Sequence, residues 1–280
     1  MTVVSDRELD AQGYERFRQF LERRCGIVLG DNKQYLVRSR LSPLLKKYAS
    51  PSLPELVERV LQERDRGLIE AVIDAMTTNE TLWFRDRYPF ELLKSEMLAE
   101  FKGRPGPVKI WSAACSSGQE PYSIGMSILE YQRQNPGALR GGGQIVGTDI
   151  SADMLQRCKL AEYDNLTLSR GLSDERKRQF FEPAENGMLR VKQEVRRMVS
   201  FRQVNLLESY SLLGKFDIIF CRNVLIYFSA EVKAKILQQL AACLNKDGIL
   251  FLGASESLSG LSDEFTMVRC TKGLYYRKKS

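Results

Sequence analysis

The stretch Val108–Met126 reads V-K-I-W-S-A-A-C-S-S-G-Q-E-P-Y-S-I-G-M and decides the fold. Apolar residues at Val108, Ile110 and Trp111 are typical of a short strand. Small or polar residues follow, and a helical pattern begins around Pro121. This order lets a nucleotide-like ligand approach the backbone at a helix N-terminus. Only Gly118 stands where a dinucleotide fingerprint has three glycines, so an ordinary strand–helix connection remains the commoner explanation of this stretch taken alone.

The composition indicates a cytoplasmic protein. The chain has 280 residues, of which 43% are hydrophobic, enough for one large core or two smaller ones. No apolar run is long enough to span a membrane, and the first residues show no signal-peptide pattern. The six cysteines form no C-x-x-C pair, which predicts reduced core residues rather than a disulfide or zinc framework.

The absence of histidine restricts the chemistry. It excludes Ser-His-Asp and Cys-His nucleophiles, histidine-ligated metals and a histidine general base. Any reaction must therefore use carboxylates, tyrosine, lysine, arginine, amides or the backbone. The net charge of +7 hints at an acidic partner, although a surplus of this size is also common on solvated surfaces.

Residues 1–84 read as helices without a convincing strand. One helix ends at Gly26, and Asp31 is the predicted N-cap of a second, in which Pro43 either introduces a kink or starts a new helix. Two further helices are predicted at about 54–63 and 68–76.

The second helix carries a basic stripe. Lys33, Arg40 and Lys47 recur every seven residues and so share one edge of it. A solvated helix face is the commoner explanation, and a dock for an acidic helix or for phosphate is the functional one. Aromatic residues are not interleaved with these cations, so nucleic acid is not favoured as a partner.

The segment T-T-N-E-T-L-W-F-R-D at 77–86 is unusual for a linker, because hydroxyls and amides stand next to two aromatic residues and an arginine. Such polar groups beside apolar ones are typical of a semi-buried binding loop, although a capped interdomain turn would also explain them. A helix over about 90–101 is predicted to follow.

A second strand is predicted at 144–150, with Asp149 near its end. An acid in this place in a doubly wound sheet binds ribose hydroxyls, although Asp also caps helices. Ser151 can cap the next helix instead, which leaves Asp149 freer for a ligand. A buried strand at 216–221 likewise ends at Arg222 and Asn223, which places polar groups in the ligand-binding crevice of an open α/β sheet.

The remaining elements complete an alternating α/β domain. Apolar and polar residues alternate between 187 and 205, which predicts a small basic antiparallel excursion. The third core strand is predicted to end at residues 204–206. A helix follows Ser229, and a fifth strand is predicted at 249–253. Residues 265–270 and 274–277 then form a hairpin, an ending expected of methyltransferases rather than of nicotinamide-binding domains.

The chain resembles the bacterial chemotaxis receptor methyltransferases, the CheR family, in five motifs. They are T-T-N-E-T-L-W-F-R-D (77–86), W-S-A-A-C-S-S-G-Q-E-P-Y-S (111–123), G-T-D-I (147–150), V-N-L-L (204–207) and F-D-I-I-F-C-R-N-V-L-I-Y-F (216–228). The resemblance implies a class I S-adenosylmethionine-dependent, Rossmann-like α/β sheet with a terminal antiparallel hairpin. It also implies a small all-α N-terminal domain at 1–84 and a methyltransferase domain at 85–280, with an inserted antiparallel β subdomain at about 187–203.

The resemblance further implies an activity: methyl transfer from S-adenosylmethionine to glutamate side chains on the helical cytoplasmic part of chemoreceptors, with S-adenosylhomocysteine as the product. The implied cofactor residues are Asn79, Thr81, Arg85, Glu120, Asp149, Asn205, Leu206, Arg222 and Asn223. Arg85 and Tyr227 are predicted next to the reacting methyl group, and Lys33, Arg40 and Lys47 on the receptor-binding face.

The partners follow from the same resemblance. We expect a monomer that binds no metal or nucleic acid and does not insert into a membrane. A regulatory protein is a further possible partner. The loop at 183–187 is shorter than in members that hold a peptide from the receptor's C-terminus, which argues against such a tether.

Glutamate methylation suits a chain without histidine. A glutamate with a reference pKa of about 4.3 is already ionised at neutral pH, so no strong base is needed. Two alternatives remain: a non-catalytic signalling adaptor, and a nicotinamide-dependent oxidoreductase, which would need the glycine-rich loop that is absent here.

Overall fold

The computed structural model describes residues 9–279, so the expectation about a signal pattern in the first residues lies outside the described part. The chain divides into two compact units. The first comprises the residues up to Thr78 together with Tyr227–Val232, and the second comprises Asn79–Ile226 and the residues from Lys233 onward.

Between residues 9 and 78 the first unit contains four helices: α1 (Ala11–Cys25), α2 (Gln34–Lys47), α3 (Leu53–Leu61) and α4 (Arg66–Met76). Their boundaries follow local capping rules. Asp10, Ser52 and Asp65 each accept a hydrogen bond from a backbone N–H in the first turn of α1, α3 and α4, and Gly26 ends α1 in the left-handed conformation. Apolar stripes of these helices are buried against each other and form the core of this unit.

Helix α2 departs from its prediction at the N-terminus. Lys33, not Asp31, is the N-cap residue, and it makes no side-chain cap. The Asp31 carboxylate instead accepts a hydrogen bond from Arg18 Nη1 at 2.7 Å, so it is used in an ion pair with α1. Of the two alternatives for Pro43, a kink or a new helix, the second is wrong, because Pro43 lies inside the single helix Gln34–Lys47.

The second unit is built on a seven-stranded sheet with the strand order β6-β2-β1-β7-β8-β10-β9. The strands are β1 (Val108–Ala113), β2 (Gly143–Asp149), β6 (Val199–Gln203), β7 (Phe216–Cys221), β8 (Leu244–Phe251), β9 (Phe265–Cys270) and β10 (Gly273–Lys278). The first five pair in parallel, whereas β10 pairs antiparallel with both β8 and β9, which confirms the terminal hairpin. Strand β8 begins at Leu244, earlier than predicted.

Helices connect these strands. The longer ones are α6 (Gln119–Gln134), α7 (Ala152–Leu160) and α11 (Ala230–Cys243). Before β1, α5 (Tyr88–Leu92) continues into a π-helical turn and then a 3-10 turn up to Phe101, which agrees with the predicted helix over 90–101. The predicted cap of α7 is confirmed, because Ser151 Oγ accepts a hydrogen bond from the Met154 N–H at 3.1 Å.

A second, three-stranded antiparallel sheet differs in extent from the predicted subdomain at 187–203. Its strands are β3 (Glu162–Tyr163), β4 (Phe181–Pro183) and β5 (Leu189–Val191), with the helices α8 (Asn165–Ser169) and α9 (Asp174–Phe180) between β3 and β4. After α10 (Gln193–Arg196), β6 leaves this sheet and pairs in parallel with β2. The expectation that residues 199–203 belong to the antiparallel excursion is therefore wrong. Alternation of apolar and polar residues is found in the edge strand of a larger sheet as well as in a small antiparallel ribbon.

The core of the second unit is aromatic at its centre. Phe220 on β7 lies 5.8 Å from Phe90 and 4.8 Å from Phe251 between ring centroids. All six cysteines are free, and five of them are buried, as predicted. Burial raises the pKa of Cys25 to about 11, so this thiol stays protonated at neutral pH. Within residues 9–279 no helix is both long and apolar enough to cross a membrane.

Candidate active site

The turn after β1 bends backbone N–H groups towards the end of β2. Ala114 and Ser116 take positive φ angles of 57° and 49°, and Gly118 takes 96° immediately before α6. A Cβ on Gly118 would lie 3.0 Å from the Tyr163 hydroxyl and 3.1 Å from Cys158 Sγ. The single glycine of this turn is therefore required by both its backbone angle and its close packing.

Asp149, the last residue of β2, is buried against this turn. Its Oδ2 accepts a hydrogen bond from the Ser116 N–H at 2.7 Å, and its Oδ1 accepts one from the Ser151 N–H at 3.0 Å. Burial raises the pKa of this carboxyl group, although the backbone N–H groups of Ser151, Ser116 and Ile150 partly offset that effect. Two carboxylate oxygens offer about four acceptor positions, so this side chain can still accept hydrogen bonds from ribose hydroxyls.

Arg222 forms a buried charge network at the end of β7. Its Nη1 donates to Glu120 Oε2 at 2.8 Å, and its Nη2 donates to Asp86 Oδ2 at 2.6 Å and to the Arg85 carbonyl at 2.8 Å. Glu120 also accepts a hydrogen bond from Ser112 Oγ at 2.8 Å. The Arg222 side chain is only 1% exposed, and a buried positive charge is unfavourable unless it is paired. Asp86 and Glu120 supply two negative charges against this one, so the network carries a net negative charge.

The segment from Asn79 to Asp86 is attached to the sheet domain by its backbone. The Asn79 carbonyl accepts a hydrogen bond from Ser116 Oγ at 2.9 Å, and the Phe84 N–H donates to Ser123 Oγ at 3.1 Å. Arg85 Nη1 donates to the Glu80 carbonyl at 3.0 Å. The predicted residues Asn79 and Arg85 therefore lie on a segment that contacts both the turn after β1 and Arg222, while Thr81 is half-buried between them.

Asn205 and Leu206 follow β6, next to the end of β2. The Val204 N–H donates to the Asp149 carbonyl at 3.0 Å, which joins the ends of these two strands. Leu206 is buried, and Asn205 Oδ1 accepts a hydrogen bond from the Leu207 N–H at 3.1 Å. This arrangement puts an apolar side chain and an amide beside Asp149, a combination suited to an adenine ring.

Asn223 lies on a tight turn that Glu256 stabilises. Asn223 has a positive φ of 58°, and its N–H donates to Glu256 Oε2 at 2.7 Å. The same oxygen accepts a hydrogen bond from the Gly253 N–H at 2.7 Å, and Oε1 accepts one from the Ile226 N–H at 3.3 Å. One carboxylate thus holds the segments that follow β7 and β8.

Two functional candidates were missed in the sequence. Asp86 ends the quoted T-T-N-E-T-L-W-F-R-D segment, but no sequence pattern predicts that its partner is Arg222. Glu256 follows the last parallel strand within G-A-S-E-S, and an acid just after a strand is the signal that singled out Asp149.

Other predicted site residues lie in the first unit. Tyr227 ends a 3-10 turn, and its carbonyl accepts a hydrogen bond from the Val28 N–H. Lys33 and Lys47 are exposed, whereas Arg40 is half-buried and donates to the carbonyls of Met76 and Thr77 and to Thr78 Oγ1. The catalytic role of Tyr227 and the docking role of the three cations remain predictions.

The residues at the ends of β1 and β2 fit S-adenosylmethionine. A buried carboxylate can accept hydrogen bonds from ribose hydroxyls, and Leu206 provides an apolar surface for adenine. Asp86, Glu120 and Asp149 together outnumber Arg85 and Arg222, so a sulfonium cation would meet opposite charge. Among the described residues no group of three or more histidine, cysteine, aspartate or glutamate side chains could hold a metal ion.

A parallel sheet that ends in an antiparallel hairpin, with an acid at the end of its second strand, is the architecture of S-adenosylmethionine-dependent methyltransferases. Comparison with protein families agrees. Residues 79–274 match the family described as CheR methyltransferase, SAM binding domain, and residues 12–77 match CheR methyltransferase, all-alpha domain.

Individual relatives agree with the family assignment. Chemotaxis protein methyltransferase 1 of Vibrio cholerae is 59% identical over 279 residues and covers 100% of both chains. Chemotaxis protein methyltransferase Cher2 of Pseudomonas putida is 56% identical, over 95% of this chain and 98% of that protein. The chemotaxis protein methyltransferase of Escherichia coli is 33% identical, over 91% and 87%. The chain belongs to the CheR methyltransferase family.

Proposed function

We propose that this protein is a protein-glutamate O-methyltransferase of chemotaxis. It transfers the methyl group of S-adenosylmethionine to glutamate side chains of methyl-accepting chemoreceptors and forms glutamate methyl esters and S-adenosylhomocysteine. The observation that carries the proposal is the buried Asp149 carboxylate, held by backbone N–H groups beside the Arg222 network. The names of its relatives as chemotaxis methyltransferases support it.

In this proposal the cofactor is held by the second unit. Asp149 accepts hydrogen bonds from the ribose, while Asn205 and Leu206 lie beside the adenine. Asn79, Thr81, Arg85, Glu120, Arg222 and Asn223 complete the site. The bound cofactor supplies an electrophilic methyl carbon, and the carboxylates around Arg222 compensate its charge.

The side chains of this protein orient the acceptor rather than activate it. A glutamate carboxylate is ionised at neutral pH, so the protein must hold its oxygen in line with the methyl carbon and keep water out. We assign this orientation to Arg85 and Tyr227. Arg85 must not bind the carboxylate too strongly, because stabilising the ground state more than the transition state slows the reaction.

The proposed receptor-binding surface is the basic edge of α2. Lys33 and Lys47 are exposed at its two ends and are available to an acidic helix of the receptor. The proposal includes a cytoplasmic monomer of 32.0 kDa that needs no metal. It leaves a regulatory protein partner open and does not require a receptor tether, since β4 and β5 are joined by a short turn at Glu185–Gly187.

The test uses methyl-tritiated S-adenosylmethionine and a purified cytoplasmic receptor fragment. Glutamate esters release volatile methanol in mild alkali, whereas methylated amines do not. We expect receptor-dependent, alkali-labile label that Asp149→Ala strongly reduces. Alkali-stable label would contradict the substrate class, and cofactor binding without any transfer would favour the adaptor alternative.

A further inference from the structure

A cavity of about 510 Å³ lies in the second unit, beside the start of α5 and the loop before α9. Its walls include two aromatic rings, Phe84 and Phe90, and three cations, Arg87, Lys94 and Arg176. None of the residues predicted to hold the cofactor lines it. The cavity is therefore lined by a different set of residues from the proposed cofactor site.

The charges around this cavity do not balance. Lys94 Nζ and Arg176 Nε both contact the Glu130 carboxylate at 2.6 Å, so one carboxylate serves two cations. Arg87 is exposed and makes no side-chain hydrogen bond or ion pair within the described part of the chain, and Glu91 is the one acid on the cavity wall. Three cations against the two carboxylates of Glu130 and Glu91 leave a net charge of +1, which favours an anion.

The same cavity offers an apolar surface. The Arg176 guanidinium lies 3.7 Å from the centroid of the Phe84 ring, and Phe90 meets Phe84 edge to face at 5.2 Å. Leu172 extends this wall. A ligand that carries both an anionic group and an aromatic or apolar group would use both parts of the wall, whereas a bare inorganic anion would use only one.

The position of Arg87 on the cavity wall depends on a strained turn. Phe84, Asp86 and Arg87 have positive φ angles of 50°, 65° and 53°. The Tyr88 N–H donates to the Asp86 carbonyl and closes a three-residue turn centred on Arg87, a rare and strained conformation for a residue with a side chain. Strain of this kind persists where the surrounding structure requires it, and here it directs Arg87 to the cavity and Asp86 to Arg222.

We propose that the cavity lined by Phe84, Arg87, Lys94 and Arg176 is a second ligand site that binds a small aromatic anion, such as an aryl phosphate. Arg87 supplies the free charge, and the Phe84 and Phe90 rings contact the apolar part. The site does not depend on the methyl-transfer proposal, because it involves none of the residues assigned to that reaction.

The test is calorimetry of the full chain with phenyl phosphate, in the presence of S-adenosylhomocysteine to block the cofactor crevice. We expect saturable binding at one site, and none for the uncharged analogue phenyl glucoside. Arg87→Asn keeps a residue that tolerates a positive φ but removes the charge, and should weaken binding at least about tenfold. Arg140→Asn is the matched control, since Arg140 is also exposed and unpaired among the described residues, and should leave binding unchanged.

A second variant keeps the test decisive if Arg87→Asn fails to fold. Ser169 is exposed on the cavity wall, so Ser169→Trp should fill the space and abolish binding while circular dichroism shows an intact fold. The proposal is overturned if phenyl phosphate shows no saturable binding up to about 10 mM. Equal affinity in the wild type and either folded variant would also overturn it.

Discussion

At the residue scale, Glu256 lies outside every quoted motif and yet holds the backbone on both sides of Asn223. Its carboxylate accepts hydrogen bonds from the N–H groups of Asn223, Ile226 and Gly253. Glu256→Gln replaces one acceptor oxygen with an NH2 group that cannot accept, so the turn at Asn223 should shift. We predict a fall in kcat/KM of about tenfold to a hundredfold, measured by methyl transfer to receptor. An unchanged kcat/KM with a lowered melting temperature would reduce Glu256 to a purely structural role.

Asp149 carries a pH-dependent prediction. Burial raises the pKa of its carboxyl group above the ordinary 3.8. In the proposed site the ionised form accepts hydrogen bonds from the ribose, so affinity for S-adenosylhomocysteine should be constant at neutral pH and fall as pH decreases through this raised pKa. Titration calorimetry between neutral pH and the acid limit of stability checks this. Asp149→Asn should bind more weakly and lose that pH dependence; an identical profile in this variant would assign the pH effect to another group.

At the scale of elements, the cations of α2 differ in their contacts, and only those without structural contacts are proposed to bind the receptor. Arg40 donates three hydrogen bonds to the end of α4 and the residues after it, whereas Lys47 is exposed at the end of α2. We predict that Arg40→Glu lowers the free energy of unfolding by about 1–3 kcal/mol through lost hydrogen bonds. Lys47→Glu should change it by less than about 0.5 kcal/mol yet raise the KM for receptor.

Urea denaturation and receptor methylation measured on both variants would separate these effects. Affinity for S-adenosylhomocysteine is the control and should stay unchanged in Lys47→Glu. A normal KM for receptor in Lys47→Glu would remove this edge of α2 from the docking surface.

Helix α6 is tied to its neighbours through Glu130, which contacts Lys94 after α5 and Arg176 on α9. Burial alone would raise the pKa of Glu130, but the hydrogen bonds from Arg176 and Lys94 outweigh it and lower the pKa below the ordinary 4.5. The stabilisation is therefore fully present above pH 4.5 and is lost as pH falls through the lowered pKa.

Glu130→Gln should consequently destabilise the protein at pH 7 by about 1–3 kcal/mol, and by less at acid pH. Urea unfolding followed at several pH values measures this difference. A penalty that does not shrink as pH falls would show that lost packing, rather than lost charge, causes the destabilisation.

At the scale of the whole molecule, local signals predicted most of the fold. Capping residues such as Ser151, the apolar strand runs and the final hairpin are encoded within a few neighbouring residues, and the structure confirms them. The partner of β6 was not predictable in this way. Alternation over 199–203 is the same for a strand in an antiparallel ribbon and for the edge strand of a parallel sheet, and only the pairing with β2 decides between them.

In the candidate site, too, features encoded by neighbouring residues were predictable and contacts between distant segments were not. The position of Asp149 at the end of β2 was predictable from the strand pattern, and its role towards the ribose stays a prediction. The Arg222–Glu120–Asp86 network was not predictable, because its members come from three distant segments that meet only in the folded chain. The half-buried position of Arg40 was hidden for the same reason, since a heptad stripe does not show which cation finds carbonyl partners on another helix.

The most direct test of the central claim is calorimetric titration with S-adenosylhomocysteine, comparing the wild-type protein with Asp149→Ala. We predict one binding site per chain in the wild type and an affinity loss of about 1–3 kcal/mol in the variant, from a lost buried hydrogen bond. Absence of binding to the wild type, or equal affinity in both proteins, would contradict a cofactor site at the ends of β1 and β2.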